Sequence, residues 1–111
     1  HRRVMAIFKK LSSPEEVERA IAASYERPIA IFKHSNSCGI SADVLEMIES
    51  IDAEIYLIVV QEARPASDLV AQQTGIRHHS PQVVVLKSGE PVYYASHYGI
   101  DTHKLERHVK E

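Results

Sequence analysis

Apolar positions along the chain change their spacing several times, and each change marks a predicted element. "VMAIF" (4–8) is a short apolar run and reads as a strand. "SSPEEVERAIAASYE" (12–26) reads as a helix. Ser13 is its N-cap, Pro14 sits at the first helical position, and Glu16 completes a capping box. Val17, Ala20, Ile21 and Ser24 then fall on one face at helical spacing. Pro28 closes that turn, and "IAIFKH" (29–34) is a β-branched and aromatic run that predicts a second strand.

"ISADVLEMIESI" (40–51) predicts a helix with Ile40, Val44, Met47, Ile48 and Ile51 on its apolar face. "EIYLIVV" (54–60) is almost wholly apolar, the pattern of a strand covered on both sides. "ASDLVAQQTG" (66–75) predicts another helix, with Gly75 as its C-terminal cap. "QVVVLKSGEPVYYAS" (82–96) reads as a hairpin about Ser88–Gly89, and "DTHKLERHVKE" (101–111) as a last helix capped by Asp101 or Thr102. The order β α β α β α β β α implies right-handed crossovers and a largely parallel sheet, with the closing hairpin adding antiparallel strands. The expected fold is α/β: a three-layer α/β/α sandwich with a mixed sheet of about five strands.

Length fits this picture. At 111 residues the chain suits one domain spanning 1–111, and a domain of that size buries roughly 65% of its unfolded surface. Thirteen basic and fifteen acidic residues give a net charge of −2, with no basic stripe. Nucleic acid is therefore not an expected partner. No apolar run approaches the ~20 residues of a membrane span, and the five apolar residues before Lys9 are too few for a signal peptide core. The single cysteine forbids an intrachain disulfide, and a reducing cytoplasm is the expected compartment.

That cysteine, Cys38, lies in "HSNSCGIS", between a strand end and a helix start. In an open α/β sheet this edge is where ligands bind. Backbone N–H groups and the positive end of the helix dipole converge there, a setting that favours the reactive thiolate. Ser35, Ser37 and Ser41 offer hydroxyls to the sulfur, and Lys33 or His34 offers charge, though strand alternation lets only one of those two face it. Two readings stand at this point: a reactive thiol, or a small buried cysteine in a serine-rich turn. Pro81 directly precedes a buried strand, where an X-Pro bond is either a cis device or a simple trans start. His78 and His79 precede it, and one of the two can lie near the sulfur. The seven histidines show no metal-ligand spacing, and no metal is expected. There is no paired-carboxylate, phosphate-loop or serine-elbow signature either.

A cysteine at a strand–helix corner, followed by X-Pro before a hairpin, is the layout of thioredoxin-like proteins. "IFKHSNSCGIS" followed by "RHHSPQVVVLKSGEPVYYASHYGI" resembles the YtxJ family of monothiol bacilliredoxins, over roughly Pro28 to Ile100. The resemblance implies a thioredoxin-like fold and removal of bacillithiol from mixed disulfides on proteins. It makes Cys38 the nucleophile, with Lys33, Ser37, Gly39 and Ser41 in support. Ser41 stands where a resolving cysteine sits in dithiol relatives. Ser80–Pro81 is the cis-proline element and, with His79, binds substrate. No tightly bound cofactor is implied; bacillithiol or another low-molecular-weight thiol is co-substrate, and S-thiolated proteins are the partners.

The family usually has proline after the cysteine, where this chain has Gly39. "CGIS" is close to the "CGFS" of monothiol glutaredoxins, which bind a [2Fe–2S] cluster with glutathione. That is the alternative reading, although the "GG" pair of that class is replaced here by "YYASHYG". A third reading is a thioredoxin-like module that binds peptides at the Ser80–Pro81 edge without exchange chemistry.

Overall fold

The computed structural model describes residues 5–111. Its elements are β1 (Ile7–Lys10), α1 (Pro14–Ala23), β2 (Ile29–His34), α2 (Gly39–Glu49), β3 (Glu54–Val59), α3 (Arg64–Thr74), β4 (Gln82–Lys87), β5 (Glu90–Ser96), a 3₁₀ turn (His97–Gly99) and α4 (Thr102–Lys110). The five strands stand in the order β1-β3-β2-β4-β5. β3 is parallel to both β1 and β2, and β4 is antiparallel to β2 and β5. The expected mixed sandwich is therefore the fold.

Side-chain alternation sorts the core into two halves. Ile29 and Ile31 of β2, with Val84 and Leu86 of β4, pack beneath Val17 and Ala20 of α1 and Ala66 and Val70 of α3. Ala30 and Phe32, with Val83 and Val85, face the other way, against Val44 and Ile48 of α2 and Leu105 of α4. β2 and β4 are thus covered on both faces. Val4, the first residue of the expected opening strand, lies outside the described residues, and β1 begins at Ile7.

Helix ends follow the capping chemistry. Glu16 N–H donates to Ser13 Oγ at 3.2 Å, while the Glu16 carboxylate accepts from Ser12 N–H at 2.9 Å. The box therefore closes one residue earlier than the pattern implies. Gly75 adopts φ 72°, the left-handed cap after α3. Asp101 caps α4 by accepting from His103 and Lys104 N–H. Met47 corrects the sequence reading of α2: it is 43% exposed, while Val44 and Ile48 are fully buried.

The hairpin turn is anchored from a distance. Ser88 and Gly89 have φ of 53° and 78°, the left-handed pair of a tight hairpin. Ser88 N–H donates to the Ser24 carbonyl at 2.7 Å, and Gly89 N–H donates to Ser24 Oγ at 2.9 Å. Ser24 is only 1% exposed, so the polar end of the α1 stripe is a docking point for the turn. Replacing Ser24 with Ala removes the acceptor of the half-buried Gly89 N–H and should lower unfolding free energy by about 1 kcal/mol. Urea denaturation followed by circular dichroism checks this; an unchanged midpoint rules the anchor out.

Candidate functional site

The sulfur sits where chain direction and sheet order bring several segments together. Cys38 is the N-cap of α2, with extended φ −117° and ψ 121°, and is half-buried. Its N–H reaches the Ser35 carbonyl at 3.5 Å, and its own carbonyl accepts from Ala42 N–H at 3.1 Å, which opens the helix. The first-turn N–H groups of α2 have no intrahelical acceptor, so they face the same end as the thiol.

The serines around the cysteine are held by other groups. Gln61, just after β3, donates through Nε2 to Ser35 Oγ at 2.7 Å and Ser37 Oγ at 3.1 Å. Its Oε1 accepts from Asn36 N–H at 3.1 Å. Gln61 thereby clamps the loop from outside, a role carried by no motif. Ser41, expected to hold the place of a resolving cysteine, is fully buried and structural in its contacts. Its Oγ accepts from Ser35 N–H at 3.0 Å and lies 2.8 Å from His34 Nδ1. Burial holds His34 below the ordinary histidine range, and its Nδ1 shares a hydrogen bond with the Ser41 hydroxyl.

Alternation decides between Lys33 and His34. His34 points to the α2 side, where it meets Ser41. Lys33 points to the opposite face, against the expectation that its charge supports Cys38. It is fully buried, with Nζ 3.1 Å from His78 Nδ1. Burial pulls its pKa down to about 8, and the Asp68 carboxylate opposes that shift. His78 is also held low, by burial and then by the Lys33 charge.

The second arm of the site comes from β4 and β5. The Ser80–Pro81 bond is cis. Lys33 pairs with Gln82 across the antiparallel β2–β4 ladder, so Pro81 enters the sheet beside the end of β2 that leads to Cys38. The Pro81 carbonyl accepts from His97 N–H at 2.9 Å. His79 meets His97 edge-on with centroids 5.6 Å apart. His97 has φ 55°, an uncommon conformation for a non-glycine residue, and it turns the following residues onto α2. Tyr98 Oη donates to Asp43 Oδ2 at 2.7 Å. The Tyr98 phenol is raised above its usual range by that bond first and, among smaller causes, by the negative charge of a Cys38 thiolate. Tyr98, Asp43, His97 and Gln61 were not legible as site residues. The only sequence signal was the aromatic "HYG" in place of a glycine pair.

Gly39 occupies the first position of α2, and nothing lies within 4 Å of where a Cβ would stand. The extended backbone of Cys38 is also what a following proline requires. Gly39→Pro should therefore be tolerated and should stabilise the fold by about 0.4–1 kcal/mol through the unfolded chain. A denaturation midpoint below wild type contradicts this account of the glycine.

The titratable groups shielded by the fold, Lys33 fully and His34 and His78 in part, set a second expectation. His34 and His78 titrate lower in the folded than in the unfolded chain, so below about pH 6.5 the unfolded state binds more protons and stability drops as the pH is lowered. Lys33, at about 8 against 10.5 unfolded, has the same sign: stability rises with pH between those values. Thermal midpoints should climb across both windows; Lys33→Met should flatten the alkaline one and, by removing the charge that helps hold His78 low, weaken the acid one as well. An alkaline rise that survives in Lys33→Met places the titrating group elsewhere.

Known proteins share this fold. Residues 9–105 match the family described as monothiol bacilliredoxin BrxC. A solved structure described as a candidate oxidoreductase with a thioredoxin fold is 32% identical, with a TM-score of 0.80, covering 96% of this chain and 95% of that one. Thioredoxin NaTrxh from Nicotiana alata is 22% identical with a TM-score of 0.68, covering 96% and 91%. Thioredoxin O1 from Arabidopsis thaliana, in its oxidized state, is 16% identical with a TM-score of 0.67, covering 93% of each chain. The two thioredoxins establish the fold alone. With the match running across nearly all of the sandwich and the lone thiol at its sheet edge, the chain belongs to the monothiol bacilliredoxin family.

Proposed function

We propose that this protein is a thiol–disulfide oxidoreductase that removes a low-molecular-weight thiol, bacillithiol or a chemical relative, from mixed disulfides on proteins in a reducing cytoplasm. The observation that carries this is the placement of the only cysteine: half-buried at the N-cap of α2, just after the β2 end that lies next to the cis Ser80–Pro81 bond in the sheet. The Cys38 thiolate attacks the small-thiol sulfur of the mixed disulfide. A sulfur–sulfur bond forms to Cys38, the client–sulfur bond breaks, and the client leaves as its thiolate. A second molecule of the small thiol then attacks the Cys38 adduct as thiolate, regenerating Cys38 and releasing the small thiol as its symmetrical disulfide. Electrons balance across the two steps without a second protein thiol.

Ser41 fits this one-thiol cycle. Its hydroxyl is tied to Ser35 and His34, so the position is given over to holding the loop. In this reading Ser80 and His79, which precede β4, pair with an extended client chain. Gly39 makes the motif "CGIS", and this favours a second reading in which Cys38 and glutathione hold an iron–sulfur cluster.

The test is incubation of a bacillithiolated protein with the reduced enzyme. Intact-mass spectrometry should find the client freed and Cys38 carrying the small thiol, and Cys38→Ser should abolish release. No adduct on a Cys38 that iodoacetamide readily alkylates would falsify the exchange reading. Client binding that persists undiminished in Cys38→Ser, with no adduct in wild type, indicates a binding module. Anaerobic reconstitution with iron, sulfide and glutathione should leave the protein colourless; a stable brown chromophore selects the cluster reading.

A further inference from the structure

The buried ammonium of Lys33 takes no part in the exchange steps, yet it is tied to the loop that leads into Ser80–Pro81. Its Nζ lies 3.1 Å from His78 Nδ1, and Ser67 Oγ of α3 lies 3.2 Å from the same nitrogen. A lysine ammonium can only donate. Nδ1 is therefore the acceptor, and the ring carries its proton on Nε2. On β4, Gln82 is the register partner of Lys33, and its Nε2 donates to the Arg77 carbonyl at 2.9 Å. Two neighbouring strands thus hold consecutive residues of one loop: β2 holds the His78 ring, and β4 holds the Arg77 carbonyl. Gln82 Oε1 is the one buried side-chain polar atom without a partner among the described residues.

We infer that Lys33 and His78 form a latch that sets the position of Ser80, so that the client chain meets the sheet edge in register with the Cys38 sulfur. Both are positioning residues; neither touches the reacting atoms. The inference rests on the reading of Ser80 as a client-pairing residue. It explains a fully buried lysine, which is costly unless its charge and hydrogen bonds are answered. Asp68 answers part of the charge from α3, while Arg64 and His79 bring positive charge to the His78 side. An apolar residue at position 33 would pack as well, but would leave the ring held by Ser67 alone.

The geometry separates two conservative replacements. Asn places an amide oxygen near the position of Nδ1, whereas Gln reaches the position of Nε2. With thermal midpoints recorded as a folding control, His78→Asn should keep KM for a bacillithiolated protein within about twofold of wild type, whereas His78→Gln and Lys33→Met should raise it about tenfold with kcat unchanged, the scale of one lost charge-assisted hydrogen bond. Nitrogen NMR of the wild type should show His78 protonated on Nε2 and not on Nδ1. The Ser80 amide resonance should move in His78→Gln and Lys33→Met and stay in place in His78→Asn. Equal KM values for His78→Asn and His78→Gln, or a proton on Nδ1, overturn the latch. Should the wild type fail to release any client, the exchange reading falls, and the Ser80 resonance decides the latch: unmoved in Lys33→Met and His78→Gln, it overturns the latch as well.

Discussion

The end of β2 is the constraint on which the site depends. β2 is paired on both edges, with β3 and β4, and covered on both faces, so consecutive side chains at its end must enter different buried layers. Those side chains, Lys33 and His34, are polar. A buried polar group without a partner costs free energy on the order of 1–3 kcal/mol, more if charged. Each therefore dictates what lies next to it. His34 calls for Ser41 from α2, which in turn takes the Ser35 N–H and shapes the loop ahead of Cys38. Lys33 calls for His78 from the loop ahead of Pro81. Two loops distant in sequence are thus set by two adjacent residues of one strand.

This arrangement accounts for a one-cysteine site that keeps its shape. In a dithiol protein the second sulfur can end the reaction internally. Here position 41 is a buried hydroxyl with two partners, and the loop ahead of Cys38 is held by Ser41 and Gln61. With one cysteine in the chain, no intrachain disulfide can form at Cys38. Gly39 fits the same frame. Its backbone is ordinary for the first residue of a helix, so the family's more usual proline would change the entropy of the unfolded chain and one N–H group, not the path of the loop.

Much of the architecture was legible because it rests on local rules. The apolar spacing of α1, the Ser13–Pro14–Glu16 start, the continuous apolar runs of β2 and β4 and the Ser88–Gly89 turn each express a preference that tertiary packing reinforces. Met47 shows the limit of such rules. It lies on the edge of the apolar stripe of α2, and which edge is covered depends on where α4 and the 3₁₀ turn settle.

The sequence by itself determined the order of elements, the strand–helix corner that carries Cys38 and the proline that begins β4. These follow from side-chain periodicity, capping chemistry and the restricted φ of proline, all confined to a few neighbouring residues. Only the tertiary structure decided which polar groups meet: Lys33 with His78, His34 with Ser41, Gln61 with three loop residues, and Tyr98 with Asp43. Those pairs join residues up to 55 apart in the chain. Their partners are fixed by sheet order and strand register, quantities that a run of side chains does not encode locally. The reason is elementary: a backbone preference is a property of adjacent residues, whereas the partner of a buried polar group is whichever one the packed fold brings within hydrogen-bonding reach.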